Sequence, residues 1–182
     1  MDGVFYNDLR EPFIGTDVAA VTLAATAKAL YPAGAFPVLG GQYFARVGKK
    51  IRIRLFGRIT TGLTPGNGSF NIYYGSGADA AGVILMTGTP VALLPSQTNL
   101  SWACEVFVHC RSTGSTGTLF CTGRTLFNPA VQAGPVMLPA SAAAVSGACD
   151  LTTANIISVQ YLRSGVTAET MQVHDLEVVA MN

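Results

Sequence analysis

Apolar and polar residues alternate with a period of two in several stretches of the chain. The clearest is Ile51-Arg52-Ile53-Arg54-Leu55, which places Ile51, Ile53 and Leu55 on one face of a strand and both arginines on the other. In Leu100–Cys110, Trp102, Cys104, Val106, Val108 and Cys110 share the face expected in the core, and Ala103, Glu105, Phe107 and His109 share the opposite face. Further strands are predicted over Gly82–Met86, Gly117–Leu126, Val136–Leu138, Ile156–Arg163 and Thr170–Val179, separated by turns rich in Gly, Pro, Ser, Thr and Asn. Thr64-Pro65-Gly66-Asn67-Gly68 has turn chemistry and joins Arg58–Thr61 to Ser69–Tyr74 as a hairpin or a tight corner. Val18 to Leu30 is open to two readings. Asp17 could cap an alanine-rich helix there, but the β-branched Val21, Thr22 and Thr26 favour a strand. Pro135 to Ala148 reads as a long connection lying on protein.

About eight strands with long connections and few helical stretches predict an all-β fold, an antiparallel β-sandwich with a jelly roll as the leading arrangement. An immunoglobulin-like sandwich fits in about 100 residues and leaves too much chain over. Residues 18–182 make a single sandwich domain, and residues 1–17 an extended N-terminal arm. The arm carries Phe5, Tyr6 and Phe13 without a regular period, together with Arg10 and a small excess of acids, and is expected to pack along a neighbour.

Charged residues are only 12% of the 182, about half the usual share, while hydrophobic residues are 49%. A surface so poor in charge predicts that part of it is covered by other protein. The formal net charge of +1 gives nucleic acid little to attract, and the apolar stretches are too short for a membrane span. The start, Met1-Asp2-Gly3-Val4, lacks the basic and apolar regions of a secretion signal, so synthesis in a cytosol is expected. Cys104, Cys110, Cys121 and Cys149 are then expected as buried free thiols.

Candidate chemistry is sparse. His109 and His174 stand in no metal-ligand spacing, and no serine lies in a Gly-x-Ser-x-Gly elbow. His174-Asp175-x-Glu177 could form an acid/base cluster, yet strand alternation sets His174 opposite both carboxylates. Gly48-Lys49-Lys50 lacks the rest of a phosphate loop. The expectation is a non-enzymatic protein with no cofactor and no metal.

The one concentration of charge is Arg46, Lys49, Lys50, Arg52, Arg54 and Arg58, a cationic run with no acid inside it. Phe56 alternates onto the same face as Arg52, Arg54 and Arg58. One aromatic is too few for a track of stacked bases, whereas arginines around an aromatic are typical of protein contacts. Either a solvated outer face or contact with an acidic protein surface fits this run.

The stretch from Gly41-Gln42-Tyr43-Phe44-Ala45-Arg46-Val47-Gly48-Lys49-Lys50 through Ile51 to Thr61 and the Thr64-Pro65-Gly66 turn resembles a family of small virion structural proteins of tailed bacteriophages, described as head decoration, head fibre or minor tail proteins. Later echoes are Leu100-Ser101-Trp102-Ala103-Cys104-Glu105-Val106, the Gly114-Ser115-Thr116-Gly117 turn and Thr152-Thr153-Ala154-Asn155. The resemblance begins at about Gly41 and runs to the C-terminus; the first 40 residues have no part in it. It implies a β-sandwich without enzyme activity that forms homotrimers on the outside of a virion, is assembled in a host cytoplasm, and contacts the major capsid protein or other virion proteins. The expected function is that of a capsid decoration protein, with Phe5, Tyr6, Arg10, Phe13 and the residues of the cationic run as contacts. The alternative is a tail or head-fibre module for host recognition, with Tyr73, Tyr74 and Trp102 as the aromatics that could stack on carbohydrate.

Overall fold

A computed structural model describes residues 13–131, 134–139 and 145–181, with side chains from Asp17 onward. Twelve strands and one short 3-10 turn, Ala33–Ala35, make up its regular structure. The strands are β1 (Phe13–Thr16), β2 (Val21–Thr22), β3 (Lys28–Ala29), β4 (Lys50–Thr60), β5 (Asn67–Gly75), β6 (Val83–Thr87), β7 (Val91–Ala92), β8 (Leu100–Ser112), β9 (Thr118–Phe127), β10 (Val136–Leu138), β11 (Ile156–Arg163) and β12 (Thr170–Ala180).

These strands form two antiparallel sheets. The larger has the order β1-β12-β4-β8-β9-β10, with β2 also on β12, and the smaller has the order β3-β11-β5-β6, with β7 also on β5. The pairings nest: β5 pairs β6, β4 pairs β8, β3 pairs β11 and β1 pairs β12. The chain passes from one sheet to the other six times, between β2 and β3, β3 and β4, β4 and β5, β7 and β8, β10 and β11, and β11 and β12. The protein is therefore an antiparallel β-sandwich.

Strand alternation builds the core. Ile51, Ile53, Leu55 and Ile59 of β4 and Val106 and Val108 of β8 are fully buried, each contributing about 1.5–3 kcal/mol by leaving water. They meet Phe70, Ile72, Val159 and Tyr161 of the smaller sheet in one apolar cluster. All four cysteines are buried free thiols, and burial raises the pKa of each. Gly57 makes room for Trp102, since a Cβ there would lie 1.9 Å from the Gln172 carbonyl oxygen and 2.8 Å from the indole ring.

The structure decides two local readings that the sequence left open and changes a third. The Thr64–Gly68 stretch is a corner between the two sheets and not a hairpin within one. Gly66 has φ +67 and packs on Gly165 of the β11–β12 connection, where the Ser164 amide donates to the Asn67 carbonyl at 2.8 Å. Val18 to Leu30 holds the two short strands β2 and β3 and no helix. Residues 13–16, at the end of the expected arm, form a regular strand, β1, along β12; Phe5, Tyr6 and Arg10 lie outside the described residues.

Both edges of the larger sheet are closed by very short strands, β1 and β2 on one side and β10 on the other. Short edges leave little unpaired backbone for another chain to extend.

Candidate contact face

The two outer faces of the sandwich differ. On the smaller sheet the outward residues Ser69, Asn71, Tyr73, Ser158 and Gln160 are all buried. A loop of residues 76–82 roofs part of this face. The Ala80 amide donates to Gln160 Oε1 at 2.7 Å, and Gln160 Nε2 donates to the Ala78 carbonyl at 2.9 Å. Asp79 pins the loop by accepting from Lys28 Nζ at 2.7 Å and from the Ala29 amide at 2.8 Å. Burial alone would raise the Asp79 pKa, but these hydrogen bonds and the Lys28 charge outweigh it and hold the carboxyl below its ordinary range.

The outer face of the larger sheet is more open, and its side chains lie in rows fixed by the β-register. The central row runs Glu177 (β12), Arg54 (β4), Glu105 (β8), Arg124 (β9), one residue directly opposite the next. Opposite charges on facing strands stabilise a sheet. Arg54 Nη1 donates to Glu177 Oε2 and its Nε faces Glu105 Oε1, both at 3.4 Å. Arg124 Nη2 lies 3.1 Å from the second Glu105 oxygen, and Arg52 Nη2 donates to Glu177 Oε1 at 3.1 Å. The adjoining row is Asp175, Phe56, Ala103, Leu126. Phe56 and Leu126 stand out at 39% and 46% exposure, and Ala103 forms the floor between them. Arg54, Phe56, Ala103, Glu105, Arg124 and Leu126 line one shallow depression. On the other side of the charged row, Arg52 stands opposite Phe107, and Lys50 Nζ lies 5.1 Å from the Phe107 ring centre.

The cationic run thus becomes part of a mixed-sign face, because β8 and β12 bring Glu105 and Glu177 to the arginines of β4. Its members are not all together. Arg52, Arg54, Phe56 and Arg58 share the outward face as the alternation requires, with Lys50 at its end. Lys49 has the parity of Ile51 and is buried, its ammonium 5.0 Å from the Tyr43 ring centre. Arg46 is exposed in the turn before β4, and Arg58 Nη1 donates to the Asn99 carbonyl at 3.2 Å. The Phe13 backbone pairs opposite Val178 at the sheet edge. The residues that sequence reading left out are Glu105, Arg124, Leu126 and Glu177. Their outward parity is legible, but their position beside the arginines depends on register between distant strands.

The other candidate chemistry disperses. The β12 register shifts between Val173 and Asp175, so a bulge interrupts the alternation at His174. His174 Nδ1 then meets Asp17 Oδ1 at 2.6 Å, and Glu177 belongs to the arginine row. Among the described residues no group of three His, Cys, Asp or Glu is arranged to hold a metal, and no helix is long and apolar enough to cross a membrane. His109 lies beside Phe120, and burial together with Lys50 and Arg111 lowers its pKa, which favours the neutral ring. Tyr73, Tyr74 and Trp102 are all buried, so none presents a ring to a sugar. Burial pushes the Tyr74 hydroxyl up to about 12.

No known family, curated protein or solved structure matches the chain.

Proposed function

We propose that this chain is a non-enzymatic structural protein of a tailed-phage virion, a decoration protein that attaches to the outside of the head through protein contacts. The observation that carries this reading is the asymmetry between the two outer faces. On one, Ser69, Asn71, Tyr73, Ser158 and Gln160 are buried and a loop roofs part of the face, while the other presents a charged row beside Phe56, Ala103 and Leu126. Arginine and exposed aromatic residues on an open sheet are the composition of a protein-binding surface. A low overall charge and the resemblance of residues from Gly41 onward to phage head proteins support the same reading. The partner is the major capsid protein or another virion protein, and the chain adopts a jelly roll, which the nested strand pairings and the repeated passage between sheets support.

The carbohydrate-binding alternative is not favoured, since its aromatics are buried. The test is mass spectrometry of purified virions from the phage that encodes the chain, with cryo-electron microscopy of heads made with and without it. The expected result is many copies per particle and density on the outer surface that disappears with the gene. Absence of the chain from virions refutes the proposal.

A further inference from the structure

We infer that the open face of the larger sheet pairs with the same face of a second copy about a two-fold axis that runs along the strands, between β4 and β8. This goes beyond the reading just given and does not rest on it: it names a second copy of the chain as a protein partner for the open face.

Charge order selects the axis. The central row reads Glu177, Arg54, Glu105, Arg124, so the sign at each position is opposite to the sign at its mirror position in the row. A rotation of 180° about the β4/β8 seam turns the row end for end and lays it on itself. Arg54 then faces Glu105 of the second copy, and Glu177 faces its Arg124. An axis running across the strands instead would set each charge of the row over its own equivalent, Arg54 on Arg54 and Glu105 on Glu105.

The neighbouring rows obey the same operation. Phe56 comes over Ala103 of the other copy, where the small side chain leaves a hollow between that copy's Phe56 and Leu126. Ring and hollow are the knob and socket of one surface. Arg52 comes over Phe107, a cation on an aromatic face, and Asp175 comes over Leu126. No row sets like charges together. An isologous contact needs such self-complementarity. Two twisted sheets packed face to face cross at about 30°, so the axis bisects the two strand directions.

The rest of the molecule leaves this route open. Edge-to-edge pairing of the larger sheet is blunted by the short β1, β2 and β10, and on the smaller sheet the outward Ser69, Asn71, Tyr73, Ser158 and Gln160 are buried, with Ile84 of β6 exposed beside them. A two-fold contact of this kind differs from the threefold association implied by the phage resemblance.

The test is sedimentation equilibrium of the full chain at low salt, with the variants Arg54→Glu and Glu105→Arg. The wild type is expected at twice the chain mass of 18.9 kDa. Each variant alone sets like charges at both symmetric 54/105 contacts and weakens the dimer at least tenfold. Mixed in equal amounts, the two variants form a dimer of one copy each. The new carboxylate at position 54 of the first then meets the new guanidinium at position 105 of the second, and the unchanged Glu105 of the first meets the unchanged Arg54 of the second. Native mass spectrometry identifies that mixed species. Repair within one chain cannot produce it.

Ala103→Gln fills the hollow without changing a charge and also weakens the dimer at least tenfold, while circular dichroism reports whether each variant is folded. A wild type that is monomeric at every concentration overturns the inference. So does a dimer or trimer indifferent to all three substitutions, or a mixture that contains no mixed dimer. A monomeric chain that still decorates virions removes the pairing alone, whereas a dimer absent from virions removes the decoration role alone.

Discussion

Neutralising Glu105 tests whether the outer face is an ion network or a set of independent surface charges. Glu105→Gln keeps the shape of the side chain and one acceptor oxygen while removing the charge that faces both Arg54 and Arg124. The two contacts are 3.4 and 3.1 Å, and the carboxylate side chain is 18% exposed against 38% and 59% for its partners. Partly exposed pairs of this kind contribute about 0.2–1 kcal/mol each, so two give a loss of about 1 kcal/mol. Arg54 keeps Glu177, which limits the loss. Once Glu105 is neutral, Arg54 and Arg124 face each other across two strand spacings, about 10 Å, which is close to the screening length at 0.1 M salt and adds little.

The assay is urea unfolding at a concentration where the chain is monomeric, in low salt and again at 1 M. The expected shift of about 1 kcal/mol at low salt corresponds to a melting change of roughly 2–4 °C and falls by half or more at 1 M. A double-mutant cycle of Arg54→Met with Glu105→Gln isolates the pair and is expected to give a coupling of about 0.5 kcal/mol. A loss independent of salt, or a coupling indistinguishable from zero, refutes the electrostatic account. It would mean that Glu105 acts through packing.

Three further outcomes are expected. Gly57→Ala drives a Cβ into the Gln172 carbonyl and the Trp102 ring, and overpacking on this scale costs about 1–3 kcal/mol or more; a melting temperature equal to wild type shows that the strands yield more easily than the packing implies. The four buried thiols react with a colorimetric disulfide reagent only after denaturation, and more than one equivalent reacting at once in the native state contradicts their burial. Since Asp79 has a lowered folded-state pKa, its contribution is complete above the ordinary aspartate range and is lost as pH falls through the folded value. Hydrogen exchange over residues 76–82 is therefore expected to rise in acid relative to the core strands, and Asp79→Asn removes that difference.

Side-chain parity was legible in the sequence because it is a local property. A period of two in β4 and β8 assigned Ile51, Ile53, Leu55, Val106 and Val108 to the core and Arg52, Arg54, Phe56 and Glu105 to the outside, as found. The corner at Gly66 was less legible. The same Pro-Gly-Asn-Gly chemistry serves a hairpin or a change of sheet, and contact with Gly165, far along the chain, decides between them. The His174 bulge was not legible at all, because an extra residue in one strand is visible only against its partner.

The contact face shows why register matters more than composition there. Read along β4 alone, Arg52, Arg54 and Arg58 form a cationic patch that calls for an acidic partner. Across the sheet, Arg54 lies between Glu177 and Glu105, and Arg124 continues the alternation. A one-residue slip of β8 against β4 would send Glu105 inward, so the apolar core that holds Val106 and Val108 in place also fixes the sign pattern outside. A partner selected by net positive charge would be any acidic surface. A partner selected by the order of the row must present the same alternation reversed, and a second copy turned about the β4/β8 seam meets that requirement.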